Sequence, residues 1–169
     1  AGDKINALSS YPVSWHFIGH LQSNKAKYAV KLFDMIHSVD SLKLAKELNK
    51  QAKKINKIQK ILIQVNISME LTKSGIHEED AQKLIKEISL LENLSIKGLM
   101  TMPPFFNNPE KVRPYFSALR ALRDKIRNEE IKNINMQELS MGMTGDFEVA
   151  IEEGATLVRI GPAIFGKRS

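Results

Sequence analysis

At 169 residues and 43% apolar content, the chain is long enough to bury one core; it contains no apolar run able to cross a membrane, and no signal peptide is expected. Cysteine is absent, which removes disulfide and thiol chemistry and fits a reducing cytoplasm, the expected location. The net charge of +6 raises nucleic acid as a partner, but Lys43, Lys46, Lys50, Lys53, Lys54, Arg120, Arg123, Lys125 and Arg127 spread along helical segments with no aromatic residues between them, so solvated helix faces are expected instead.

In chain order, Ala1-Gly2-Asp3-Lys4-Ile5 reads as the middle of a helix. Strands are predicted at Trp15–Ile18 and Met35–Val39. Asp40 and Ser41 are N-cap candidates for a helix whose apolar stripe is Ala45, Leu48, Ala52 and Ile55. Ile61–Ile67 follows as a strand, and its ILIQV segment is apolar enough to be buried on both faces. A second helical stripe is Ala81, Leu84, Ile85, Ile88 and Leu91, with Glu78, Glu79 and Asp80 in a first turn that suits the helix dipole. After a strand at Ile96–Met100, a third stripe comprises Tyr115, Leu119, Leu122 and Ile126, with Pro114 inside its first turn, where the missing N–H matters least. Glu138–Ser140 and Leu157–Ile160 complete the strands. Strand–helix alternation of this kind implies a parallel sheet, and no linker or repeat interrupts it, so residues 1–169 are expected to form one domain.

Metal and nucleotide sites find little support. His16 and His20 stand four apart but on a strand broken by Gly19, His37 is alone in a strand, and His77 is alone near a helix start. Neither the full phosphate-loop motif Gly-x-x-x-x-Gly-Lys-Ser/Thr nor Gly-x-Gly-x-x-Gly occurs; after the stretch Gly161 to Lys167 the next residue is Arg168. Met100, Met102, Met141 and Met143 group at two strand ends, where core packing or the lining of a planar ring would each use them.

The segment from Leu139 to Gly166, LSMGMTGDFEVAIEEGATLVRIGPAIFG, carries the most information. Ser140 ends a strand, Gly142 and Gly145 make a turn, and Asp146 opens a short helix that stops at Gly154. A strand bearing one charge, Arg159, runs into Gly161-Pro162 and another helical turn. Two successive strand ends presenting Ser, Gly and helix starts form an anion cup, which in (β/α)₈ barrels lies after the last two strands. Ser140 offers a hydroxyl to a phosphate, though it also suits a cap or a satisfied loop. Gly161 permits close backbone approach. Arg159, an unpaired charge in an apolar strand, needs either a carboxylate on a neighbouring strand or a ligand.

Together with WHFIGHLQSNK (Trp15 to Lys25), SVDS (Ser38 to Ser41), VNISMELTKSG (Val65 to Gly75) and GLMTMPP (Gly98 to Pro104), this block resembles the YggS/PROSC family of pyridoxal phosphate homeostasis proteins. The five motifs follow the family's order over essentially the whole chain.

The resemblance implies a TIM-type (β/α)₈ barrel like the N-terminal domain of alanine racemase, here with six βα units, strands three to eight of the eight. The first two units, including the lysine that forms a Schiff base with the cofactor, are expected upstream of Ala1. It further implies that Ser140, Gly142, Thr144, Gly161 and Pro162 hold the phosphate of pyridoxal 5'-phosphate, and that Arg159 faces the pyridine nitrogen. Thr144 replaces the usual Ser and keeps the hydroxyl. Pro162 replaces a residue with an N–H, so Ala163 or water must supply one hydrogen bond. Asn66 is expected either at the ring substituents or in a local turn. Lys73, in the loop after the same strand, either meets an anion or aldehyde or is a solvated lysine. An arginine on the ring nitrogen restrains carbanion chemistry, which favours a non-catalytic carrier that sequesters the cofactor and passes it to apoenzymes. The alternative is a racemase of the alanine racemase type, an enzyme needing a further catalytic base from a separate domain. No nucleic acid, membrane or metal partner is expected.

Overall fold

The computed structural model describes residues 2–8, 10–68, 70, 74–129 and 131–166. Among these, the strands are β1 (His16–Phe17), β2 (Met35–Val39), β3 (Gln59–Asn66), β4 (Ile76–His77), β5 (Leu94–Met100), β6 (Ile134–Met143) and β7 (Leu157–Arg159). The helices are α1 (Gly2–Ala7), α2 (Ala26–Leu32), α3 (Leu42–Lys54), α4 (Glu78–Ile88), α5 (Arg113–Arg127), α6 (Phe147–Glu152) and α7 (Pro162–Phe165). Every strand pairing is parallel, in the order β1-β2-β3-β5-β6-β7, with the two residues of β4 added beside the end of β3. This is the expected succession of βα units, and all strands therefore present their C-terminal ends at one mouth. No helix among the described residues is long and apolar enough to cross a membrane.

Because side chains alternate along a strand, the sheet separates two environments. Toward the helices, Ile36, Ile61, Ile63, Val65, Ile96, Leu99, Leu139 and Met141 join Leu48, Ile85, Phe116 and Leu119 in the main core. Burial of each such side chain contributes on the order of 1.5–3 kcal/mol. On the opposite face Met35, Leu62 and Met100, with Leu157, form a small separate cluster. Two residues further along β2 and β3 the same face carries His37 and Gln64 in place of apolar groups. The inner face thus changes from apolar to polar toward the mouth.

The ends of several elements differ from expectation. β6 spans Ile134–Met143, well beyond Glu138–Ser140, because its first half pairs with β5 while leaving alternate polar side chains partly exposed, a pattern that imitates a loop. β3 and β5 start two residues early, at Gln59 and Leu94, and β4 has no apolar run to announce it. Ser41 caps α3 as expected, accepting from the Leu44 N–H, but Ile55 is the C-cap and lies 52% exposed; Leu44 takes its place in the buried stripe. In α5 Phe116, not Tyr115, enters the core, and Tyr115 stacks on Phe106 with ring centroids 6.0 Å apart. The methionines do not form one group: Met100 faces the inner cluster, Met141 the helices, and Met102 is 42% exposed.

Close strand approach explains two glycines. A Cβ on Gly98 would overlap the Glu138 carbonyl of the neighbouring strand. Gly142 adopts φ +90°, and a Cβ there would stand 2.5 Å from Ala150 Cβ, so its lack of a side chain lets α6 pack onto β6.

Candidate functional site

The polar end of the inner face centres on Ser140. This residue is fully buried within β6, three positions before the strand ends, and not at a strand terminus as expected. Its hydroxyl oxygen accepts from Arg159 Nη1 at 2.7 Å and lies 2.9 Å from His37 Nδ1. β2 and β6 are separated by β3 and β5 in the sheet, so the His37–Ser140 contact crosses the interior and is possible only because the sheet is curled.

Arg159 is half-buried on β7. Besides Ser140 it donates through Nη2 to the Thr101 carbonyl at 2.9 Å, and the Thr101 hydroxyl in turn donates to the Val65 carbonyl at 2.8 Å. Among the described residues no carboxylate forms an ion pair with this guanidinium; the neighbouring-strand carboxylate that would have made Arg159 purely structural is not there. Burial lowers its pKa to about 10, opposed by Asp146, so it remains a cation at neutral pH. Among the described residues two of its five N–H donors are used, both on neutral oxygens.

His37 was not expected to take part in a site. Its Nε2 lies 3.0 Å from His16 Nδ1, with ring centroids 5.0 Å apart, so it is not alone. Burial, with His16 and Arg159 adding in the same direction, lowers its pKa to about 3 and keeps the imidazole neutral. Burial also lowers the pKa of His16, against the pull of Asp34. No local feature of the sequence marks this constellation, since a single histidine in a strand does not state which side chain will face it.

At the mouth, β6 turns through Thr144-Gly145-Asp146 into α6, and Asp146 Oδ1 accepts from the Met143 N–H at 2.6 Å, fixing the turn. The Thr144 hydroxyl oxygen is buried without a hydrogen-bond partner. Gly161 precedes α7, whose first residue is Pro162, and no atom lies within 4 Å of where a Cβ on Gly145 or Gly161 would be. The two expected strand-end loops are therefore open, and one of them holds an unsatisfied donor. The Gly142 backbone belongs to the strand and serves helix packing.

Asn66 is buried and spends both polar ends on its own loop, donating to the Glu70 carbonyl and accepting from the Ser68 hydroxyl. Lys73 lies outside the described residues. Across the mouth, a cavity of about 410 Å³ is lined by residues that include Ile18, His20, Gln64, Ser74 and Met102, at the C-terminal ends of β1, β3 and β5.

The profile of the alanine racemase N-terminal domain family matches residues 9–169. The pyridoxal phosphate homeostasis protein of Aquifex aeolicus (strain VF5) is 50% identical over 165 residues, covering 98% of this chain and 72% of its own length. The structure of PipY from Synechococcus elongatus PCC7942 with PLP bound superposes with a TM-score of 0.87 at 34% identity, covering 98% of this chain and 77% of that one. Alanine racemase of Clostridium difficile 630 shares the fold, with a TM-score of 0.75 at 17% identity over 99% of this chain and 44% of its own. The curled parallel sheet, the strand-end loops and these likenesses place the chain in the alanine racemase N-terminal domain family, among the pyridoxal phosphate homeostasis proteins.

Proposed function

We propose that this protein binds pyridoxal 5'-phosphate at the mouth of the barrel and holds it for delivery, and that turnover of amino acids is not its role. The observation that carries this reading is a cation, Arg159, half-buried at the strand ends with no carboxylate partner among the described residues. It lies two residues before the open loop at Gly161 and pairs in register with Met143, where the other open loop begins. The printed names support the same ligand: the Aquifex relative is a pyridoxal phosphate homeostasis protein, and PipY has PLP bound.

The residues fit that ligand. A phosphate needs donors, and the Thr144 hydroxyl is an unsatisfied one beside a turn with room for an anion. Gly161 and the Ala163 N–H, at the open start of α7, complete the cup from the other strand end, while Pro162 contributes only shape. When bound, the group supplies an aldehyde carbon open to amines and a ring that delocalises charge. Arg159 can only donate, so facing the ring nitrogen it keeps a proton off that atom and weakens the ring as an electron sink. This favours retention over carbanion chemistry. Ser140, one layer below, acts on the ring side through Arg159, and the phosphate contact passes to Thr144. Pyridoxal phosphate-dependent apoenzymes are the recipients that a delivery role requires.

Titration with pyridoxal phosphate and with pyridoxal separates these assignments. Thr144→Val should weaken pyridoxal phosphate binding about tenfold or more, the worth of a hydrogen bond to a charged group, and leave pyridoxal unchanged. Ser140→Ala should weaken both alike. A Thr144→Val protein with full affinity for pyridoxal phosphate would remove the phosphate cup from this loop. Sustained racemization of alanine or serine by the full-length protein would overturn the carrier reading.

A further inference from the structure

The inner-face hydrogen bonds continue from Ser140 to the surface. His37 Nε2 meets His16 Nδ1, His16 Nε2 lies 3.1 Å from the Ser14 hydroxyl, and Ser14 donates to Asp34 Oδ2 at 3.4 Å, an oxygen that also accepts from the Trp15 N–H at 2.7 Å. One end of this line is a guanidinium, which only donates. The other is a carboxylate, which only accepts.

Between these fixed ends the protons have one consistent arrangement. Starting at Asp34, Ser14 gives its only proton to the carboxylate, so His16 Nε2–H must donate to Ser14. His16 Nδ1 is then the acceptor for His37 Nε2–H, and His37 Nδ1 is left to accept the Ser140 O–H. Starting at Arg159 gives the same answer: Ser140 accepts from the guanidinium, is fully buried, and has His37 Nδ1 as the partner for its proton. A protonated His37 would strand the buried Ser140 O–H and put a second cation beside Arg159. Each bridging group donates once and accepts once, in one direction, so each bond polarises the next.

We propose that Ser14, His16 and His37, both histidines in the Nε2–H tautomer, form a one-way donor chain anchored on Asp34 that fixes the Ser140 hydroxyl and through it the orientation of Arg159. The histidines are positioning residues. That the oriented guanidinium serves a cofactor ring rests on the pyridoxal phosphate reading; the chain itself does not.

The test uses the full-length protein with ¹⁵N-labelled histidine and arginine. Long-range proton–nitrogen spectra at pH 7 should show both rings neutral and protonated on Nε2. His37→Leu should move the Arg159 side-chain N–H resonance, whereas His37→Asn, whose Oδ1 replaces Nδ1 as acceptor, should leave it close to that of the wild type. Ser14→Ala alters only an exposed hydroxyl, so folding is safe; it should release His16 into a tautomer mixture. With pyridoxal phosphate added, His37→Leu should shift the ligand's absorption band and weaken binding about tenfold, and His37→Asn should restore most of both. An Nδ1–H tautomer or an imidazolium on either ring, or an Arg159 resonance indifferent to His37→Leu, would overturn the donor chain. Correct tautomers and a responsive Arg159 in a protein that does not bind pyridoxal phosphate would leave the chain standing and remove the cofactor reading.

Discussion

Arg113 and Arg159 occupy opposite kinds of site. On the outer surface between α5 and α6, Arg113 meets three carboxylates: Glu110 at 2.8 Å, Glu152 at 2.6 Å and Glu153 at 3.1 Å. Its positive charge is fully compensated, which raises its pKa further. At the inner mouth Arg159 meets, among the described residues, only the neutral oxygens of Ser140 and Thr101, and its pKa is lowered by burial. The surface arginine fastens two helices together and has nothing left to offer a ligand. The inner one is held in place without being neutralised, which is the condition for attracting an anion or an aromatic acceptor from outside.

Removing each arginine should therefore have different signatures. The largest effect is expected for Arg159→Gln: pyridoxal phosphate retention should fall by one to two orders of magnitude, since a charged hydrogen bond of roughly 1.5–3 kcal/mol is lost. The absorption band of the ligand should shift at the same time. Unchanged affinity and spectrum would make Arg159 a second structural arginine and dissolve the contrast.

Acidification should act on the inner site first. The folded pKa of His37 is depressed to about 3 while the unfolded chain titrates near 6.5, so the unfolded state binds the proton first as pH falls. Stability is complete above pH 6.5 and is lost progressively toward pH 3, by roughly 1.4 kcal/mol per pH unit for each such proton. His16 adds in the same direction. Between pH 6.5 and 5 Glu110, held below its usual value by its hydrogen bond with Arg113, keeps its charge, so denaturant midpoints in that window report the histidines. His37→Asn should flatten the slope; a slope that persists would assign it elsewhere.

The smallest effect belongs to the surface. Arg113→Gln should change stability only slightly, with a difference that shrinks in salt and no change in the ligand spectrum. A large loss would mean that the α5–α6 fastening also sets the Thr144 turn.

Much of the architecture was legible because it follows from local chemistry. ILIQV reads as a buried strand and is one; of the N-cap candidates Asp40 and Ser41 it is Ser41 that caps α3; and Ala81, Leu84, Ile85 and Ile88 form one face of α4, while Leu91 of the same expected stripe falls past its end. Alternation of such segments implies the parallel barrel units. The element ends were less legible where polar residues continue a ladder, as in β6, or where an apolar residue falls past the last turn, as with Ile55. Arg159 could be singled out as a candidate ligand contact because a charge in an apolar strand is locally anomalous, whereas Thr144 became a candidate only through the family resemblance.

His37 had no such mark. Its partner Ser140 lies 103 residues away in the chain and three strands away in the sheet. A lone histidine in a strand obeys every local rule, and nothing in its neighbours states which side chain will face it. The sequence alone determined which residues turn inward, because strand periodicity and hydrophobicity act over a few positions. Which of those inward groups meet was decided only when the sheet curled, because hydrogen bonding across an interior depends on strand order, register and curvature together.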